Sequence, residues 1–199
     1  LDAAPAALRE SLLFPYQTGA AFVNMLYQSG GYAAVDRAYR DPPVSTEQLL
    51  HPERYLRRDQ PQPVTVPDLA GRLGPGWRPA ATVEWGEFDS RLVLEGELPT
   101  TTAELAASGW DGGRLRTFER GGRTAMVLRT AWDSAQEARE YCDATSRWAG
   151  SRFGSPAGPS RWSGLGQQTI LLCQGTHVAW LSAPDGPTLD RLRAGLGPP

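Results

Sequence analysis

The chain has no lysine, so its 20 cations other than histidine are all arginine. Asn24 is the single asparagine and Ile170 the single isoleucine. Lys, Asn and Ile have AT-rich codons, so a GC-rich bacterial genome accounts for the three shortages together. Adaptation to heat also depletes Asn, but it tends to add Lys. No apolar run approaches the roughly 18 residues that a membrane-spanning helix needs. An excess of positive charge is missing too. The net charge is −2 and the pI about 5.7, which argues against a general binder of nucleic acid or acidic membrane. With 40% hydrophobic and 21% charged residues in 199, the composition is that of a soluble globular protein able to bury a core.

Catalytic and metal-binding patterns are equally scarce. The two histidines, His51 and His177, and the two cysteines, Cys142 and Cys173, form no CxxC, HxxxH or HExxH spacing. His51 reads as a helix-end histidine facing free carbonyls, and His177 as a partly exposed strand residue. No GxSxG elbow occurs. Gly164-Leu165-Gly166 lacks the third glycine of a dinucleotide loop, and Gly71 to Gly76 lacks the lysine of a phosphate loop. The expectation is therefore no catalytic residue, no metal ligand and no cofactor in this chain. The acidic residues Glu84, Glu87, Asp89, Glu95 and Glu97 read as solvated surface groups. A carboxylate enzyme using Glu87 and Asp89 is the minor alternative.

What is present reads in three stretches. Residues 1–59 are helical. Ser11 caps a helix to about Gln28, stopped by Ser29-Gly30-Gly31, and Tyr32 to Tyr39 gives a second. Ser45 with Gln48 is a capping box for a third helix, Thr46 to Leu50, interrupted at His51-Pro52. Glu53, Arg54, Arg57 and Arg58 follow as a charged, solvated end. The first helix is apolar around most of its circumference (Phe14, Tyr16, Ala20, Phe22, Val23, Met25, Leu26, Tyr27), which demands burial on all sides. Its cover is either the second half of the chain, an upstream part of the same polypeptide, or a homodimer mate. The upstream part is the expectation.

Residues 60–80, with Pro61, Pro63, Pro67, Pro75 and Pro79, read as a semi-rigid linker. Residues 81–199 then read as a helix around Phe88 to Leu94, a helix opened by Thr101 and Glu104, and two ββα units. Arg114–Glu119 and Thr124–Trp132 form one hairpin, Thr169–Cys173 and His177–Ser182 the other. Asp133-Ser134 caps a helix from Ala135 to about Phe153, and Thr188 caps the last, Leu189 to Leu196. The fold class is α+β: an N-terminal helical segment, a Pro-rich linker, then an antiparallel sheet with helices laid on one face.

Cys142 lies on the inner stripe of the long helix and Cys173 on a strand beneath it. They either form a disulfide, worth roughly 3–4 kcal/mol for a loop of about 30 residues, or remain as two buried thiols. The bridge, which is the expectation, implies an oxidising compartment outside the cytoplasm. Of the seven tryptophans, most read as core. Trp110, and Trp162 in a Gly/Ser/Pro loop, are the candidate ligand contacts.

The phrases Leu12-Leu13-Phe14-Pro15-Tyr16-Gln17-Thr18-Gly19, Gly30-Gly31-Tyr32-Ala33-Ala34-Val35 and Pro43 to Tyr55 (PVSTEQLLHPERY) carry a resemblance. So do Trp85-Gly86-Glu87-Phe88 and Ala106 to Arg114 (AASGWDGGR). Together they resemble the part downstream of the active site in bacterial envelope proteins with a zincin-type, gluzincin-like metallopeptidase domain. These phrases are structural. The HExxH and later glutamate that hold zinc in such proteins have no counterpart here, so the resemblance assigns no catalytic or zinc-binding residue. It implies a non-catalytic C-terminal portion of a secreted or lipid-anchored protein. The start at Leu1, without Met or signal peptide, agrees with a fragment. The rival reading is a stand-alone envelope module that binds a protein or glycan.

Overall fold

The computed structural model describes residues 5–197. The helical part consists of α1 (Ala6–Arg40), α2 (Thr46–Leu50) and α3 (Pro52–Arg57). The expected stop at Gly30-Gly31 is a break inside α1, where both glycines leave helical geometry and Gly31 takes φ 62 and ψ −159. A side chain is strained at that φ, so glycine suits the bend. The start differs from expectation. α1 begins behind Pro5, and Ser11 lies within it, donating to the Ala7 carbonyl at 2.8 Å. A hydroxyl one turn inside a helix bonds backward in this way and does not cap. Ser45 does cap α2, accepting from the Gln48 backbone at 3.2 Å, while the Gln48 side chain accepts from Val44 at 2.8 Å.

The remaining elements are α4 (Ala70–Leu73), β1 (Arg78–Glu84), α5 (Glu87–Glu95), α6 (Thr100–Ala107), β2 (Trp110–Arg120), β3 (Arg123–Trp132), α7 (Ala135–Phe153), β4 (Arg161–Gly164), β5 (Gln167–Gln174), β6 (His177–Ala183) and α8 (Gly186–Leu196). The six strands form one antiparallel sheet in the order β1-β2-β3-β6-β5-β4. The fold is α+β. Two helix starts differ from the sequence reading by a few residues. α6 follows Pro99 without a side-chain cap, and Asp185, which accepts from Thr188 at 2.8 Å, caps α8.

Helices cover both faces of the sheet, which corrects the one-face expectation. On one face Val127, Ile170 and Leu181 pack against Leu189 and Leu192 of α8 and against Leu69 and Leu73 around α4. On the other, Leu128, Leu171 and Trp180 meet Tyr141 and Ala149 of α7 and Ala103 of α6. The reason lies in the strand sequences. Val127-Leu128, Ile170-Leu171 and Trp180-Leu181 are apolar at consecutive positions, and consecutive residues point to opposite faces.

Residues 60–80 are not a linker. Val64, Val66, Leu69, Leu73 and Trp77 are all buried. Three arginines of the sheet hold the stretch by its carbonyls: Arg114 to Val64 at 3.3 Å, Arg116 to Val66 at 3.1 Å and Arg129 to Thr65 at 3.4 Å. It is a strap fastened across the sheet, continuing into β1. The prolines fit because Pro61 and Pro63 flank the Gln62 amide, which donates to the Asp111 carbonyl, and Pro79 sits at a register shift on an edge strand.

The Gly112-Gly113 pair permits two close backbone crossings. A Cβ at Gly112 would collide with the Gln62 carbonyl oxygen of the strap, and one at Gly113 with the Trp85 carbonyl oxygen. Backbone atoms at such a crossing have little room to give. Gly113→Ala is therefore expected to lower stability by about 2–3 kcal/mol, the upper part of the range for overpacking. Gly150→Ala in α7, where nothing lies near the added methyl, is the matched control and is expected to be neutral or slightly stabilising in the same thermal melts.

Candidate functional site

Two places gather chemistry. The first is a polar cluster where α2 and α3 meet the sheet domain. The Arg54 side chain, 18% exposed, contacts Glu47 at 3.1 Å, Asp59 at 3.2 Å and also Asp133, the residue before the α7 cap. Beside it His51 Nε2 lies 2.9 Å from Glu87 Oε1 of α5. Arg54 is thus the hub of a half-buried ion network, a correction to its reading as part of a solvated end. Thr46 accepts from the Phe88 backbone at 3.2 Å, and Phe14 of α1 stacks on Phe88 at 3.9 Å between ring centres. Sequence-distant charges and rings therefore fasten the helical part onto α5 and α7.

Burial pushes the Glu47 carboxyl up to about 8 against the pull of Arg54, with the carboxylates of Glu87, Asp133 and Asp59 adding to the rise. The hydrogen bond that His51 donates to the Glu87 carboxylate raises the imidazole above its ordinary value, against a smaller opposing effect of burial. Both groups bind protons more tightly when folded, so each contributes stability at low pH that fades as pH rises. For Glu47 the fade runs from its ordinary value of 4.5 to about 8. For His51 it begins near 6.5 and completes above the raised folded value. Wild-type stability should fall between pH 5 and pH 9. Glu47→Gln, neutral throughout, should flatten that fall and match or exceed the wild type above pH 8 in urea titrations. An unchanged slope in the variant contradicts this assignment.

The arrangement clamps two parts of the chain together. Glu87 and Asp89 do not converge as an acid–base pair. Glu87 faces His51, whereas Asp89 accepts from the Gly86 backbone at 2.8 Å and caps its own helix. Burial raises the Asp89 carboxyl, the Gly86 amide only partly offsetting it. His177 contacts its neighbour Thr176 at 3.2 Å. Among the described residues no group of three or more His, Cys, Asp or Glu converges as a metal ion would require.

The second place is a cavity of about 250 Å³ between the sheet and the helices α5 and α7. Its floor follows the strand register. Met126 and Thr169 flank Ser182, Leu128 and Leu171 flank Trp180, and Thr130 lies beside Val178. Leu94, Tyr141, Thr145 and Trp148 belong to its roof. Cys173 pairs with Val178 in the next position of that register, and Cys142 lies above it in α7. The two cysteines form a disulfide with Cα atoms 6.4 Å apart, so the bridge joins roof to floor at the Thr130 end.

Neither tryptophan singled out as a ligand contact is available on the surface. Trp110 and Trp162 are each 4% exposed. Trp162 belongs to β4, opposite Thr169, and stacks on Trp180 at 5.8 Å between ring centres. A short edge strand inside a Gly/Ser/Pro-rich stretch gives almost no periodic signal, which is why Trp162 reads as loop. The face Met126, Leu128, Thr130 and Trp132 was legible as alternation. The parts of α5 and α7 that roof it were not, because nothing local reveals a gap between two helices.

The family of a domain of unknown function, DUF8575, matches residues 76–193, a stretch that includes every residue lining the cavity but only the Glu87 and Asp133 side of the polar cluster. No curated protein and no solved structure matches the chain. Since the match takes in more than half of the 199 residues, the chain belongs to the DUF8575 family.

Proposed function

We propose that this chain is the non-catalytic C-terminal portion of a secreted or lipid-anchored bacterial protein resembling a zinc metallopeptidase. Its helical part completes a larger helical domain, and its sheet domain is a rigid accessory module clamped to that part. In this reading zinc and catalytic groups belong to residues outside this sequence. The observation that carries the proposal is an apolar stripe on α1. Leu8, Leu12, Tyr16, Val23 and Tyr27 recur at spacings of four and seven residues, share one side of the helix, and are all exposed, Tyr16 to 77%. Phe22 and Leu26, on the adjoining side, are buried, with Phe22 against Tyr55. A contiguous exposed apolar stripe marks an interaction surface. The Cys142–Cys173 bridge supports a compartment outside the cytoplasm, where disulfides persist.

The double variant Tyr16→Glu/Tyr27→Glu tests the occupant of that stripe. In the 199-residue chain it should leave the melting temperature unchanged, as exposed substitutions do. In the longer native polypeptide it should lower it by several degrees. Concentration-dependent dimerisation of the 199-residue chain, abolished by the same substitutions, would contradict the proposal and make a second copy the cover. The second reading, a stand-alone binding module of the envelope, is favoured by one observation, the cavity of the sheet domain.

A further inference from the structure

We infer that the cavity between the sheet and α7 is a binding site for a small neutral apolar ligand, or the hydrocarbon end of a larger one, of about ten non-hydrogen atoms. The size follows from comparison. An apolar cavity of about 150 Å³ takes up one benzene, and this one measures about 250 Å³.

The lining decides the chemistry. It contains no charged side chain, and the hydroxyls of its floor are already spent, while the Thr145 hydroxyl on the roof is buried without a partner. Thr130 donates to the Val178 carbonyl at 3.4 Å and accepts from the Trp132 indole at 3.0 Å. Thr169 donates to the Trp162 carbonyl at 3.4 Å, and Ser182 to the Gln167 side chain at 3.0 Å. A polar ligand group would lose its water along this floor without recovering hydrogen bonds. An apolar group loses nothing and gains contact with the faces of Leu128, Leu171 and Trp180. Water is held poorly for the same reason, since a buried water needs two to four polar partners.

The framework keeps the space open and gives it a direction. The disulfide between Cys142 and Cys173 fixes the distance from α7 to the sheet at the Thr130 end, so the walls cannot close there. Met126 lies at the other end of the floor, and Phe153 is the last residue of α7. Both are half-buried, as Trp148 is, and Val93 on α5 is exposed. Entry is therefore from the Met126 end, with the apolar tip of the ligand pointing toward the bridge. The inference concerns the sheet domain alone and does not depend on what covers α1.

The test is titration of the intact, oxidised chain with linear primary alcohols from butan-1-ol to dodecan-1-ol. It is read by fluorescence of the tryptophans in the wall and by the melting temperature. Saturable binding is expected, tightening about fourfold per added CH₂ and levelling off near ten non-hydrogen atoms. Met126→Trp, which fills the entrance, should weaken decan-1-ol at least tenfold, and Met126→Leu should not. Val93→Trp, at an exposed rim position, provides the same test if the tryptophan at 126 disturbs folding. A linear, non-saturable response overturns the inference. So does an affinity that keeps rising through dodecan-1-ol, or one that both rim variants leave unchanged.

Discussion

Replacing Cys142 and Cys173 together by alanine is expected to lower the unfolding free energy by about 3–4 kcal/mol, the chain-entropy value for a loop of this length. The bridged residues are 31 apart in sequence, so the bridge removes many conformations from the unfolded chain. For a chain of this size each kcal/mol shifts the melting temperature by roughly 2–4 °C, giving a fall of about 10 °C. Wild-type protein melted with a reducing agent should show a similar fall, whereas the double variant should not respond to it. Guanidinium unfolding of the four samples measures both effects. A loss below about 1 kcal/mol would mean that the unfolded chain is already compact around these positions, or that the thiols are not bridged in solution.

The other large effect is expected at Arg54. Arg54→Ala leaves Glu47, itself 2% exposed, without its cation, and takes one partner from Asp59 and Asp133, which remain hydrated. Removing one member of a buried ion pair costs about 3–5 kcal/mol, because the remaining charge is neither hydrated nor paired. The partial exposure of Arg54 places the expectation at about 3 kcal/mol at pH 9, where Glu47 is ionised, and lower below pH 8, where its carboxyl is largely protonated. Two features separate this account from a simple loss of packing. The deficit should grow with pH, as a Glu47 carboxyl without Arg54 is protonated more readily and pays more to ionise. The double variant Arg54→Ala/Glu47→Gln should recover part of the stability, because the neutral amide no longer needs a cation. A double-mutant cycle measured at pH 6 and pH 9 reads both. A deficit independent of pH and of the residue at 47 would assign Arg54 a packing role only.

The features that the chain announced locally were those set by neighbours in sequence. Ser45 and Ser134 each place a hydroxyl three residues before the amide they accept from. The hairpin turn at Gly121 and Gly122 has positive φ at both residues. The alternation Met126, Leu128, Thr130, Trp132 needs only a strand. Features set by distant contacts stayed hidden. Prolines made residues 60–80 look like a linker, yet Val64, Val66, Leu69 and Leu73 are as apolar as any core, and arginines of β2 and β3 hold the carbonyls of Val64, Thr65 and Val66. β1 is exposed along its whole length and has no apolar face to announce it. The two-sided cover was legible in Val127-Leu128 and Trp180-Leu181, where consecutive apolar residues need two layers of helix. The cluster around Arg54 was not, since Asp133, which pairs with Arg54, and Glu87, which pairs with His51, lie far along the chain.

The cavity shows the same limit. Its floor was readable as a face, but a space between two helices and a sheet depends on how α5 and α7 settle. No residue type marks that outcome. By contrast, the exposed stripe on α1 was announced, because a helix apolar on nearly every side has more apolar surface than two short helices can cover. The structure places Phe14, Phe22 and Leu26 against the chain's own residues and leaves Leu12, Tyr16 and Tyr27 in solvent.

That stripe makes the size of the native polypeptide the most direct measurement. An antibody raised against this chain should be used on envelope and culture fractions of the source cells. The account predicts a band well above 21.6 kDa, with residues beyond this sequence covering Leu12, Tyr16 and Tyr27. A native species at 21.6 kDa that stays monomeric with the stripe in solvent would contradict it.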